Sequence, residues 1–109
     1  MEFKIVRTDE AERTLKYFSA RERRIIAKGI ADRLVSEPTK LTRALKKLRA
    51  NPFADYQLSI EDFRVLYNVD VEGGVVKLLL VGKKQGNELI VEGKAFHAHE
   101  SDSSEGPAS

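Results

Sequence analysis

The chain is expected to fold as one α+β domain: an antiparallel sheet with an N-terminal helical hairpin packed on one face, in the order β-α-α-β-β-β with a further short strand. Three observations predict it. Two segments between residues 9 and 37 carry helix-start signals and a helical apolar period. Residues 56–93 instead alternate with the two-residue period of strands and are broken by turn residues. And 109 residues, 41% hydrophobic and 33% charged, suit a single domain with a modest core. That domain is assigned to residues 1–97. Residues 98–109 form a polar tail, Ser-, Gly- and acid-rich from Glu100, which is expected to be disordered.

The first strand is read in "FKIVRT" (3–8), with Phe3 and Ile5 on one face. Asp9, with Glu12 three residues on, resembles a capping box. Ala11, Leu15 and Phe18 then give one apolar face, and the helix is expected to end near Tyr17 or Phe18. "SARE" starts the second helix in the same way, Ser19 with Glu22. Ile26, Ile30 and Leu34 make its stripe, with Ile25 beside it, and Pro38 stops it. Residues 39–52 lie between Pro38 and Pro52, with Leu41, Leu45 and Leu48 at helical spacing, and are read as a short helix or irregular turn.

"YQLSI" places Tyr56, Leu58 and Ile60 on one face and Gln57 and Ser59 on the other. Glu61 and Asp62 make the corner. "FRVLYNV" sets Phe63, Val65, Tyr67 and Val69 opposite Arg64, Leu66 and Asn68. "VVKLLLVG" (75–82) is apolar on both faces apart from Lys77, as a central strand should be. "KKQGN" (83–87) reads as a turn and "ELIVEG" (88–93) as the last strand.

Charge is unevenly placed. Residues 1–50 hold 14 Lys/Arg and 7 Asp/Glu, while residues 51–109 hold 5 and 10. A basic half suggests a polyanion or an acidic protein partner, although a solvated helix surface accounts for charge alone equally well. With no cysteine there are no disulfides or thiolate metal sites. No apolar run approaches the roughly 20 residues of a membrane span, and "MEFKIVRTDE" is no signal peptide, so no membrane partner and a cytoplasmic location are expected.

In order and spacing, "TRALKKLRANPFADYQLSIEDFRVLYNVD" followed by "VVKLLLVGKKQGNELIVEGKAF" resembles the RelE/ParE toxin superfamily of bacterial type II toxin–antitoxin systems. The similarity is to the branch that reads Thr-Arg-x-x-x-x-Leu, Asn-Pro, Leu-Arg-x-x-x-x-Arg-Val-x-Tyr-x-Val and Val-Gly-x-Lys-x-Gly-Asn. It covers about residues 1–97. The resemblance implies a small protein neutralised by a cognate antitoxin. Such a protein either binds the ribosome and cuts mRNA or poisons DNA gyrase, and one fold hosts both activities. The first expectation is a ribosome-dependent mRNA endoribonuclease that needs no metal or other cofactor. The alternatives are a gyrase-directed toxin, or a decayed toxin that retains only antitoxin binding.

Metal-free RNA cleavage needs a base for the 2′-hydroxyl, cations for the phosphorane and an acid for the leaving oxygen. Within the resemblance, the candidate catalytic residues are Arg64, Lys83, Lys84 and His97, with His99 as a second histidine. Lys40, Arg43, Lys46, Lys47 and Arg49, five cations in ten residues, are the candidate RNA and ribosome contacts. Each has a plainer reading: Arg64 as a cross-strand partner of Asp62 or Glu88, Tyr67 as core, and the basic residues as solvated surface. Two positions depart from the family pattern. Ser59 stands where an arginine is expected, and Ile90 lies near the place of a tyrosine. The His97–Ala98–His99 pair lacks further ligands at metal-site spacing.

Overall fold

The computed structural model describes residues 2–96. The elements are β1 (Lys4–Arg7), α1 (Asp9–Leu15), α2 (Ala20–Leu34), β2 (Leu45–Lys47), β3 (Tyr56–Ile60), β4 (Phe63–Asp70), β5 (Val75–Gln85), β6 (Glu88–Val91) and β7 (Lys94–Phe96). Strands β2 to β7 pair antiparallel in chain order, and β1 adds to β5 in parallel. The expected α+β architecture is present, with β2 and β7 as strands the sequence did not announce.

Local chemistry explains the helices. The N-cap of α1 is Thr8, not Asp9: its backbone is extended and its Oγ1 accepts from the Ala11 N–H at 3.2 Å. Asp9, Glu10 and Glu12 then sit in the first turn, where the helix dipole favours acids. α1 stops at Leu15 because the next three N–H groups, of Lys16, Tyr17 and Phe18, bond back three residues instead of four. Ser19 caps α2 through the full capping box: its Oγ accepts from the Glu22 N–H at 3.1 Å, and the Glu22 carboxylate accepts from the Ser19 N–H at 2.9 Å. Ile26, Ile30 and Leu34 are buried as the stripe predicts, each stabilising the fold by about 1.5–3 kcal/mol.

The main core lies between the helices and one sheet face, with Leu58, Phe63, Val65, Tyr67, Val76, Leu78 and Val81 beneath α1 and α2. Tyr67 is fully buried, stacks on Tyr56 with ring centroids 5.6 Å apart, and donates its hydroxyl to the Pro38 carbonyl at 2.7 Å. A hydroxyl cannot be buried this deeply without a partner, and Pro38 supplies one. Burial also pushes the ionisation of Tyr67 well above the ordinary tyrosine range.

One edge of β5 is shared. β1 covers it up to Leu78, and β6 begins only at Lys83. Two threonines work in the gap. Thr8 donates both its N–H and its hydroxyl to the Leu78 carbonyl, and buried Thr14 accepts from the Val81 N–H at 3.0 Å while donating to the Ala11 carbonyl.

Two stretches differ from the sequence reading. Residues 39–52 contain no helix. Leu41 is exposed, Leu45 enters the main core, and Leu48 packs in a second cluster on the other side, so the three leucines do not share a face. The Thr42 hydroxyl accepts from the Ala44 and Leu45 N–H groups, turning the chain into β2, where Leu45 pairs with Leu58. Residues 83–87 are not all turn. Lys83 and Lys84 belong to β5, paired with Ile90 and Leu89, and the reversal is confined to Gly86 and Asn87, with Gly86 at φ +62°. Among the described residues, no helix is long and apolar enough to cross a membrane.

Candidate nucleic-acid interface

The sheet face turned away from the helices carries a groove of about 660 Å³. Its floor comes from the alternation of β3 and β4. Gln57, Ser59, Arg64 and Leu66 point here because Tyr56, Leu58, Val65 and Tyr67 point to the core. Ser59 and Arg64 are direct cross-strand partners, so the serine stands on the floor beside the arginine. Lys84 and Leu89, paired across β5 and β6, form one wall, together with Glu88 and Asn87. Phe96, opposite Leu89 on β7, extends it. Residues 43–51 form the other wall through Arg43, Lys46, Lys47, Leu48, Arg49 and Asn51.

Arg64 is not an ion-pair partner of Asp62 or Glu88. Its Nη1 donates to the Glu61 and Phe63 carbonyls, both at 2.9 Å. This clamps the corner at Glu61, whose φ of 54° is costly for a residue with a side chain. Nη1 carries only two of the five guanidinium donors, which leaves three for a ligand. Gly82, the β5 partner of Arg64, is buried where β6 closes in. A Cβ there would lie 2.7 Å from the Ile90 carbonyl oxygen and 2.9 Å from Val91 Cγ2.

The electrostatics are one-sided. Arg43, Lys46, Lys47, Arg49, Arg64 and Lys84 line the groove, against Glu88 as the single carboxylate. Ion pairs lie elsewhere among the described residues, at Arg7–Glu12, Arg13–Glu92, Lys28–Asp32 and Lys40–Glu37. The groove cations therefore have no intramolecular counter-charge within 4 Å there, and such a field attracts a polyanion.

The structure thus brings together six of the nine site residues inferred from the sequence. It does not bring Lys83 with them. Lys83 pairs with Phe63 on the helix side, its Nζ 6.0 Å from that ring's centroid. Ile90, the β6 partner of Lys83, is not among the groove residues either. Lys40 sits outside the groove, 3.7 Å from Glu37. His97 and His99 lie outside the described residues. The sequence reading missed Asn51, Asn87, Glu88 and Phe96. Their only signal was proximity to turns, and their convergence depends on β6 and β7 folding back beside β5.

No protein-family description matches the chain, and no curated protein does. Solved structures do. A chain of the RelBE2 toxin–antitoxin complex from Mycobacterium tuberculosis superposes with a TM-score of 0.68 at 24% identity, covering 77% of this chain and 93% of that one. A chain of the archaeal RelE–RelB complex from Pyrococcus horikoshii superposes with a TM-score of 0.61 at 24% identity, covering 79% and 98%. The fold is the RelE fold that the sequence resemblance implied.

Proposed function

We propose that this protein is the toxin of a type II toxin–antitoxin pair and that it acts on RNA held by the ribosome, in the cytoplasm. The carrying observation is the groove: six cations and one carboxylate on the sheet face opposite the helices. Arg43, Lys46, Lys47 and Arg49 would grip successive phosphates, giving an affinity that falls steeply with salt. Arg64 and Lys84 would stabilise the phosphorane formed when a 2′-hydroxyl attacks its neighbouring phosphate. That step breaks the bond to the 5′-oxygen and leaves a 2′,3′-cyclic phosphate and a free 5′-hydroxyl. One proton must leave the 2′-oxygen and one must reach the 5′-oxygen. In this reading Glu88 takes the first, and His97, bonded directly to the groove residue Phe96, delivers the second.

The partner in this reading is a cognate antitoxin whose acidic, amphipathic segment covers the cationic groove and pairs with a sheet edge. One RelE-fold neighbour was solved as the RelBE2 toxin–antitoxin complex and the other as a RelE–RelB complex, which supports it.

The absence of arginine at Ser59 favours a second reading, a toxin that binds without cutting RNA, directed at DNA gyrase or active only towards its antitoxin. One experiment separates the two. Purified ribosomes, one mRNA and this protein are combined, and new mRNA 5′ ends are mapped. Cuts at A-site codons that require ribosomes establish the ribonuclease. Intact mRNA at high protein concentration removes it.

A further inference from the structure

The groove has an aromatic rim that phosphate binding does not use. Phe53 and Phe96 meet with ring centroids 5.3 Å apart and planes at 69°. Phe96 lines the groove, and Phe53 stays 45% exposed. An edge contact of this kind covers at most one face of either ring.

Phe53 is also held in place. Asn51 Oδ1 accepts from the Phe53 N–H at 2.8 Å and the Ala54 N–H at 3.0 Å, while its amide donates to the Arg49 and Ala54 carbonyls. The loop is tied again at its ends, by the Leu48 N–H to the Asp55 carbonyl and the Asp55 N–H to Asn68 Oδ1. A loop with this many bonds spends little entropy on binding, yet it displays a large apolar ring against Phe96, which lines the same groove as Lys46 and Arg49. A rigid aromatic next to unpaired cations is the arrangement that holds single-stranded nucleic acid: cations take the phosphates and the ring takes a base.

We propose that Phe53 and Phe96 form a nucleobase-stacking subsite, which takes an unpaired base of the RNA whose phosphates the groove cations hold. The proposal rests on the RNA reading of the groove and adds what that reading lacks, a contact to the base. Stacking is tolerant of base identity, so the subsite positions the strand and reads little sequence.

The test measures binding of two labelled oligoribonucleotides of equal length and charge, one carrying bases and one abasic, at low salt. Phe53→Leu keeps an apolar cover on Phe96 but removes the π-face. It should weaken the base-carrying strand about tenfold and leave the abasic strand unchanged. Lys46→Ala should weaken both. Equal loss on both strands with Phe53→Leu, or loss on neither, overturns the stacking subsite while leaving the groove's RNA reading intact. Failure of the unaltered protein to bind either strand overturns both. Phe53→Trp gives a second readout, because the chain has no other tryptophan. Its fluorescence should be quenched by the base-carrying strand only, and binding without quenching overturns the subsite even if Phe53→Leu fails to fold.

Discussion

Ser59 and Arg64 are paired across β3 and β4, so the groove floor carries a neutral hydroxyl beside its arginine guanidinium. The resemblance to RelE/ParE toxins places an arginine at Ser59, and the geometry shows what that residue would do: put a second guanidinium next to the first. Ser59→Arg is therefore expected to strengthen binding to single-stranded RNA and to steepen its salt dependence by about 0.7 in the log–log slope, the contribution of one further phosphate contact. Like charges directly opposite repel, so the same variant should lose up to about 1 kcal/mol of stability. Binding titrations at several salt concentrations, with urea denaturation alongside, check both. An unchanged slope would place residue 59 away from the bound strand.

Adjacent lysines should behave differently. Lys84 lines the groove, whereas Lys83 lies against Phe63 on the helix side. Lys84→Ala should lower the salt slope by about 0.7 and reduce any mRNA cleavage, while Lys83→Ala should leave the slope where it is. Parallel titrations of the two variants decide it. Equal losses would mean that the strand wraps around the end of β5.

Much of this fold was legible in the residues, and the reasons are local. The Ser19–Glu22 box, the Ile26–Ile30–Leu34 stripe and the two-residue alternation of β3 and β4 depend on contacts within a few positions, and each is where the pattern put it. The opposed faces of Arg64 and Tyr67 follow from the same alternation. What stayed hidden is set by distant partners. Residues 45–47 become a strand because Leu58 is there to pair with Leu45, which outweighs the helical spacing of three leucines. Lys83 and Lys84 look like a hairpin tip beside Gly86, but pairing with Phe63, Ile90 and Leu89 keeps them in β5. The meeting of Phe53 and Phe96 depends on β7, and no pattern in either segment points to the other.

Tyr67 makes stability depend on alkaline pH. Burial raises its ionisation in the folded protein above the unfolded value of about 10. The unfolded chain therefore gives up that proton first, so the contribution is complete below about pH 10 and is lost as pH rises beyond it. Tyr67→Phe should cost about 1–2 kcal/mol at neutral pH, because the Pro38 carbonyl loses its donor. It should also flatten the alkaline fall in stability. Urea midpoints measured from neutral to strongly alkaline pH for both proteins test this. Parallel curves would show that another group governs the alkaline loss.

Thr14 is a polar residue at full burial, and its hydroxyl bridges α1 to β5 where no strand covers the edge. Thr14→Val keeps the shape and removes the acceptor, leaving the Val81 N–H buried without its partner. The expected loss is about 1–3 kcal/mol, larger than the hydroxyl's net contribution because the orphaned donor cannot reach water. Thr14→Ser keeps the acceptor and gives up a methyl group, so it should cost only about 1 kcal/mol. The discriminating observable is hydrogen exchange at Val81. Protection there should fall in Thr14→Val beyond the global change in stability and follow the global change in Thr14→Ser. If Val81 stays fully protected in the valine variant, the N–H has another acceptor and the threonine bridge does not hold this edge of β5.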